Sequence, residues 1–543
     1  MITGFVFHVL PGLLYRLEAL VRESALFQLL QWLWREFTGS LIFRTVQAVY
    51  RRVRGLCYES LIGHILARHR HEGRIYEGSF IAFLFDGLMD GLTWLLRKIT
   101  GLLTFGTYDS VLLSLGRRAL ARLPWLDFEF VSGGLILLML LCPSQLWHNV
   151  YALGMGAALF ALLIALAAIQ NRPALRLRTV GLPLIAFAFS CAVGVGIAAD
   201  RSEGVRVFCF FLAAFLFCAA LAGGLTEQRK LKKLLAFLYI GVVAAAAVAI
   251  AQRFIGVSVD PVLTDLATNQ GMPGRVYSVY ENPNNYAEII VLLLPVAAVW
   301  TTMLTEKYQR LYAMAGLALP VAALLMTYSR SSWIGFALAV IVFLFFCGKR
   351  VLPAFFLLAL LAVPLLPQTI WNRILTIGST ADTSNMYRIQ IWSSVMDMLR
   401  ERGLIGVGLG PDNFQPVFQQ YASGAVASAA HSHMVYLEVW AEMGLLGIGS
   451  YLIYCITTVR KAVAHFTQAP RAARLALIAG VSSLAGIAFV SAAEYIWYYP
   501  RVLFCFFILT GVMAACTSMT DACDQSAATG QNKRKDGRND EAI

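Results

Sequence analysis

The chain has 543 residues, of which 59% are hydrophobic and 14% are charged, and its formal net charge is +13. Soluble domains carry about 25% charged residues, so the composition excludes an ordinary soluble enzyme and indicates a membrane protein. A basic surplus in a membrane protein usually marks cytoplasmic loops, and we therefore predict no binding to nucleic acid.

Residues 1–127 differ from the rest of the chain because charged residues are interleaved with leucines at helical spacing. Arg16, Glu18 and Arg22 are examples of these charged positions. The pattern predicts basic amphipathic helices, cytoplasmic or interfacial, that lie on an anionic membrane surface. The alternative is a small cytosolic helical domain that packs on itself.

From residue 128 the sequence consists of apolar runs, each near the roughly 20 residues that cross a bilayer. Helices are the expected spanning structure, because the strands of a membrane barrel alternate in polarity. We therefore predict an all-α polytopic transmembrane bundle of about 12 spans. The predicted spans are 128–146, 149–169, 179–199, 205–225, 234–254, 286–304, 311–329, 332–347, 351–370, 434–459, 474–497 and 501–519.

Basic residues recur in alternate short loops, such as 171–178 and 226–233. The positive-inside rule places these loops and both termini in the cytoplasm. The predicted organisation from residue 128 onward has four parts. They are spans one to nine in 128–370, a large extracytoplasmic loop at 371–432, spans ten to twelve in 433–519 and a disordered cytoplasmic tail at 520–543.

Four cationic or titratable residues fall on the predicted outer side, where the positive-inside rule leads us to expect few cations. Arg275 precedes the sixth span, and Arg330 lies in a tight turn between the seventh and eighth spans. Arg388 and His433 lie in or beside the large loop. A positive cluster at a membrane surface suits a phosphate or pyrophosphate, which arginine binds with a planar fork of donors.

Each of these residues also has a plain structural interpretation. Arg275 is then an ordinary loop arginine, and Arg388 pairs with Asp397 or with an acid of the loop. His433 is then an interfacial histidine with satisfied hydrogen bonds. A further alternative is that its neighbour His431, rather than His433, is the functional histidine. The H-x-H pair has no third ligand at a useful spacing, so we predict neither a metal site nor a cofactor.

The motif Asn282-Pro283-Asn284 predicts the start of the sixth span. Proline is tolerated in the first turn of a helix, and an asparagine side chain caps the open N–H groups. An outward-facing helix N-terminus adds partial positive charge that favours an anion. The glycines of GVGLG at 406–410 lack the strand–turn–helix context of a phosphate loop, so they predict a simple turn.

As a set, these motifs resemble the O-antigen ligase and polymerase family of bacterial membrane glycosyltransferases. The similar stretches occur in the family's order over about residues 128–515. They are Arg275 followed by N-P-N, SRSSW at Ser329–Trp333, Arg388, GVGLG, the H-x-H pair and E-x-G-L-x-G at Glu442–Gly447. The chain departs from the family at Met434, because asparagine commonly follows the second histidine.

The resemblance implies transfer of a glycan from an undecaprenyl-pyrophosphate donor to an acceptor hydroxyl on the outer face of the bacterial inner membrane, without metal or nucleotide. Arg275 and Arg330 would bind the pyrophosphate, assisted by Arg388. Asn284 and His431 would contact the substrate, and His433 would take the acceptor's proton.

The expected partners are the lipid-linked donor, membrane lipids, and a glycan, lipid or protein acceptor. A polymerase and a ligase differ only in that acceptor, and the sequence does not choose between them. The alternative function is a transporter or flippase of polysaccharide or lipid-linked glycan.

Overall fold

The computed structural model describes residues 23–59, 79–102, 127–170, 172–257, 274–347, 364, 367–375, 383–422, 426 and 429–539. Within these ranges the regular secondary structure is helical throughout, which confirms the predicted all-α class. The α-helices are Ala25–Gly39 (α1), Leu41–Glu59 (α2), Phe80–Leu102 (α3), Phe128–Leu141 (α4), Val150–Ile169 (α5), Leu177–Val180 (α6), Leu182–Ile197 (α7), Arg201–Gly224 (α8), Gln228–Ile255 (α9), Pro283–Thr302 (α10), Lys307–Gly316 (α11), Ala318–Met326 (α12), Arg330–Cys347 (α13), Gln368–Leu375 (α14), Thr383–Arg402 (α15), Pro411–Phe418 (α16), Val435–His465 (α17), Arg471–Val490 (α18) and Pro500–Asn539 (α19).

Nine helical stretches in the described part of the chain are long and apolar enough to cross a membrane. Two shorter apolar helices, α4 and α7, lie where further spans are predicted. The sequence predicts a span at each of these places. The remaining predicted span, at 351–370, falls almost wholly outside the described residues.

The N-terminal helices contact the bundle. The Tyr50 hydroxyl of α2 donates to the carbonyl of Phe345, near the end of α13, at 2.9 Å. The Arg97 Nε of α3 donates to the carbonyl of Ala168, at the end of α5, at 3.2 Å. Both helices therefore pack on the bundle end that carries the basic loops. Their role and their relation to a membrane surface stay predictions.

The last helix continues well past its membrane-spanning part. It runs to Asn539, through residues for which the composition predicts a disordered tail. The physical reason is that helix nucleation is costly and propagation is not, so a helix already formed in a span extends readily into the residues that follow.

The predicted large loop contains helical structure. α15 and α16, together called the cap, pack through Ile391, Val395 and Phe414 against Leu437 at the start of α17. These buried side chains form a small apolar core of their own. The cap is therefore a folded element fixed to one end of the bundle.

The GVGLG segment lies against a break in α17. Gly444 has φ +63°, and the N–H of Gly408 donates to the carbonyl of Glu442, just before the break, at 3.0 Å. A Cβ at Gly408 would lie 2.4 Å from the Cα of Ala198. The glycines therefore allow close packing of backbones, a structural role rather than a phosphate-binding one.

The two ends of the bundle have different loops. We call one end the site end, and its described segments are 142–149, 198–200, 274–282, 327–329, 367–422, 426, 429–434 and 491–499. We call the opposite end the basic end, and its described segments are 170, 172–176, 225–227, 303–306 and 466–470. Hydrogen bonds join the site-end segments to one another, for example from the Ser144 N–H to the carbonyl of Val279 at 3.0 Å. A second example runs from the Val435 N–H to the carbonyl of Ser491 at 3.0 Å.

Candidate functional site

The segment that carries Arg275 is held on both sides by side chains of the bundle. The Gln252 side chain of α9 accepts from the Ser278 N–H at 2.8 Å, and the Ser278 hydroxyl donates to the carbonyl of Ala245 at 2.6 Å. Ser278 adopts a left-handed backbone conformation with φ +56°, which is strained for a residue with a side chain. These contacts fix the backbone of a segment without regular structure.

A buried arginine supports the same segment from the other side. Arg501, at the start of α19, is fully buried, with its guanidinium 4.4 Å from the ring centre of Trp147 and 5.2 Å from that of Tyr280. The ring of Tyr280 also stacks on Tyr286 of α10 at 5.6 Å. The residues that follow Arg275 are thus packed between α10 and α19.

Arg275 is only 7% exposed and uses its guanidinium to join two other segments. Its Nε donates to the carbonyl of Thr327 at 2.7 Å, and its Nη2 donates to the Asn284 side-chain oxygen. Asn282 caps α10 by accepting from the Asn284 N–H at 2.8 Å. The first turn of α10 therefore begins as predicted, and it directs Asn284 toward Arg275.

Glu494 is the acceptor at the centre of the site. Its Oε1 accepts from Arg388 Nη2 at 2.5 Å and from Asn284 Nδ2 at 3.4 Å. Asp397, considered above as a partner of Arg388, instead accepts from Arg400 at 2.5 Å. Arg275, Asn284, Glu494 and Arg388 consequently form one continuous chain of hydrogen bonds.

Two further arginines lie near this chain. Arg330 begins α13, and Arg373 of α14 is 8% exposed and donates to the carbonyl of Tyr328 at 3.3 Å. Burial, aided by the neighbouring arginines, lowers the pKa of Arg275 to about 9, although Glu494 opposes the shift. The arginine cluster, as named here, comprises Arg275, Arg330, Arg373 and Arg388.

The two histidines form a tight turn at the start of α17. Their ring centres are 4.2 Å apart, and the His433 N–H donates to His431 Nδ1 at 3.2 Å. The turn is held by Glu438 of α17, which accepts from the Ser432 N–H at 2.5 Å, and by Trp392 of the cap, which donates to the Ser432 carbonyl at 3.0 Å. His433 has φ +54°, so the turn positions it in a strained conformation.

The two imidazoles both have lowered pKa values and differ in their hydrogen bonding. Burial, with the charges of His433 and Arg388, lowers the pKa of His431 to about 3, so His431 is neutral and accepts at Nδ1. Burial also lowers the pKa of His433, while Glu494 raises it and Arg388 lowers it. Among the described residues, His433 Nδ1 has no hydrogen-bond partner. His433 is therefore a neutral imidazole near Arg388, and its buried Nδ1 has no hydrogen-bond partner among the described residues.

The structure brings the predicted site residues to one end of the bundle. Arg275, Asn284 and Arg388 are joined through Glu494, and the charges of Glu494 and Arg388 act on His433. Sequence reasoning missed Glu494 and Arg373. The signal for Glu494 was an acid inside the predicted span 474–497, because ionisable residues within membrane segments are rare and usually functional.

Comparison with known families supports the resemblance found in the sequence. Residues 315–452 match the family model described as O-Antigen ligase. The match includes Arg330, Arg373, Arg388 and both histidines, whereas Arg275 lies before it and Glu494 after it. No curated protein matches the chain. The chain is thus a polytopic membrane protein, and its residues 315–452 are similar to the O-antigen ligase family.

Proposed function

We propose that the chain transfers a glycan from an undecaprenyl-pyrophosphate donor to an acceptor hydroxyl on the outer face of the bacterial inner membrane. The observation that carries this proposal is the continuous chain of hydrogen bonds through Arg275, Asn284, Glu494 and Arg388, with His433 beside it. Guanidinium groups suit phosphate oxygens, and a neutral imidazole suits a hydroxyl proton.

The charge of the arginine cluster fits a departing pyrophosphate. Among the described residues the cluster has four guanidinium groups and one bonded carboxylate, that of Glu494, so this part of the site carries a positive charge. A glycosyl pyrophosphate donor carries two negative charges, and the lipid pyrophosphate that leaves carries a third on its terminal phosphate. The cluster thus neutralises the leaving group more fully than the bound donor, and this difference lowers the barrier.

His433 is the proposed general base. Because its pKa is lowered, its ring is neutral at neutral pH and can take the proton of the acceptor hydroxyl. The acceptor oxygen then attacks the anomeric carbon, and the bond from that carbon to the pyrophosphate oxygen breaks. The charge of Glu494 favours the protonated form of His433, so it stabilises the imidazolium that results.

The surroundings of the site support an outer-face reaction. The basic residues of the opposite bundle end favour a cytoplasmic location for that end and for both termini. The cap lies on the site end, where it would limit access of water to the donor. Water would otherwise compete with the acceptor and hydrolyse the donor.

The test uses His433→Ala and Arg330→Ala in cells, with His148→Ala and Arg400→Ala as controls exposed on the site end. We expect both site variants to be expressed normally and to accumulate unpolymerised or unligated donor on the outer leaflet, whereas the controls keep transfer. Donor retained on the inner leaflet would instead indicate a transporter or flippase. Analysis of the product in wild-type cells then identifies the acceptor, and with it a polymerase or a ligase.

A further inference from the structure

Glu494 occupies the place where the proposed function requires a phosphate. Its carboxylate accepts from Arg388 and from Asn284, and Asn284 in turn accepts from Arg275. These are the donors that an incoming pyrophosphate would use. A carboxylate and a phosphate cannot share them without repulsion between like charges.

The position of Glu494 permits it to leave this place. It lies in segment 491–499, between α18 and α19, where only a single turn of 3₁₀ helix at Ile496–Tyr498 interrupts irregular backbone. Its side chain is 12% exposed and is therefore not sealed in the core. Because Glu494 belongs to neither helix, a movement of its carboxylate away from Arg388 requires no change in α18 or α19.

A second buried carboxyl group, Glu288, lies close enough for the charge of Glu494 to act on it. Glu288 is four residues after Asn284 on α10, so it lies one helical turn away on the same face. It is 2% exposed, and its Oε2 has no hydrogen-bond partner among the described residues. Charges on Glu494 and Arg388 both act on it. Two carboxyl groups that come within bonding distance can share one proton in a hydrogen bond.

We propose that Glu494 is an internal anion that holds the arginine cluster together in the empty enzyme and shifts to a hydrogen bond with the Glu288 acid when a pyrophosphate takes its place. The inference rests on the proposed function, because it assumes that the arginine cluster binds the pyrophosphate of the donor. It adds a resident competitor to the site and a defined hydrogen-bond donor for that competitor after its displacement.

The first experiment compares inorganic pyrophosphate binding to the full chain in lipid nanodiscs. Glu494→Gln removes the competing charge, so we expect pyrophosphate to bind about tenfold more tightly. The same variant without ligand should unfold at a lower temperature, because Arg388 loses the carboxylate that is bonded to it. Asp397→Asn is the matched control, since it removes an exposed carboxylate that pairs with Arg400, and it should change neither quantity.

The second experiment tests the role of Glu288. Glu288→Gln keeps a hydrogen-bond donor and should bind pyrophosphate as the wild type does. Glu288→Leu removes the donor, so displacement of Glu494 costs more and binding should weaken several-fold. In the Glu494→Gln background the same Glu288→Leu change should have no further effect, because nothing is left to displace. Equal losses in both backgrounds would contradict the proposal.

The outcomes separate this inference from the proposed function. If Arg275→Ala abolishes pyrophosphate binding but Glu494→Gln leaves it unchanged, the internal anion is wrong and the arginine cluster still binds the donor. If Arg275→Ala leaves pyrophosphate binding intact, the proposed binding site is wrong as well.

Discussion

Paired cations at the basic end and the arginine cluster at the site end differ in solvent exposure. At the basic end, Lys233 is 35% exposed and bonds to Glu129 at 2.9 Å, and Arg176 is 40% exposed and bonds to Asp90 at 2.8 Å. Each cation has an acid within bonding distance and remains in contact with solvent. A pair between two exposed side chains, such as Arg176 and Asp90, contributes at most about 1 kcal/mol to stability.

In the arginine cluster of the site end, two of the cations are buried. Arg275 and Arg373 are 7% and 8% exposed, and the arginine cluster has Glu494 as the carboxylate bonded within it. Buried charges are costly unless they are paired and hydrogen-bonded. The burial of these arginines fits the proposed function, in which a ligand of opposite charge binds the arginine cluster.

The largest expected effect on kcat/KM comes from a substitution that keeps the positive charge of Arg275 and removes its planar guanidinium group. Arg275→Lys retains a cation but cannot bond to the Thr327 carbonyl and the Asn284 side chain together. We expect kcat/KM for glycan transfer to fall about 100-fold or more. The measurement is transfer from purified lipid-linked donor to acceptor.

The matched substitution at the basic end is Arg176→Lys, which also exchanges guanidinium for ammonium. Its exposed pair with Asp90 tolerates the exchange, so kcat/KM should remain within about twofold of the wild type. Equal losses at the two ends would show that the contrast between them has no functional meaning.

A smaller effect is expected in the pH dependence of transfer. His433 must be neutral to act as a base, and its pKa lies below the ordinary 6.5, so the acid limb of kcat/KM should have a midpoint below 6.5. Arg388→Gln removes a cation that lowers this pKa, so the midpoint should move up. Glu494→Gln removes an anion that raises it, so the midpoint should move down.

The opposite directions of these two shifts make the pH experiment specific. Both variants alter donor binding, so their absolute rates are not comparable with that of the wild type. The comparison therefore uses only the midpoint of the acid limb. Shifts in the same direction, or a midpoint that neither variant moves, would contradict the assignment of His433 as the base.

The sequence was sufficient for the helical bundle because its evidence is local. An apolar run of about 20 residues has few alternatives to a spanning helix, and the described helices occur where such runs were found. The positive-inside pattern also identified Arg275, Arg330 and Arg388 as cations on the predicted outer side, where few cations are expected. Their selection required only the order of basic and apolar residues.

The arrangement within the site was not readable in the same way. Arg388 bonds to Glu494, which is far away in sequence, whereas the local candidate Asp397 bonds to Arg400. Arg373 lies at the edge of a predicted span, where an arginine is usually a plain membrane-interface residue. Partners that meet only through tertiary packing leave no periodic signal, so Glu494 and Arg373 emerged from the structure alone.

The smallest expected effect concerns the departure from the family at Met434. This residue is the N-cap of α17, with φ −153° and ψ 119°, and its side chain makes no capping bond. Asparagine is among the best N-cap residues, so Met434→Asn should raise the free energy of unfolding by about 1 kcal/mol, measured by denaturant unfolding in detergent. Met434→Leu is the control and should give no gain, because leucine cannot cap. No gain with asparagine would show that the start of α17 is already held by Glu438 and by the Ser432 hydroxyl, which donates to the Met434 carbonyl at 2.9 Å. A gain with leucine would show that the added stability does not come from capping.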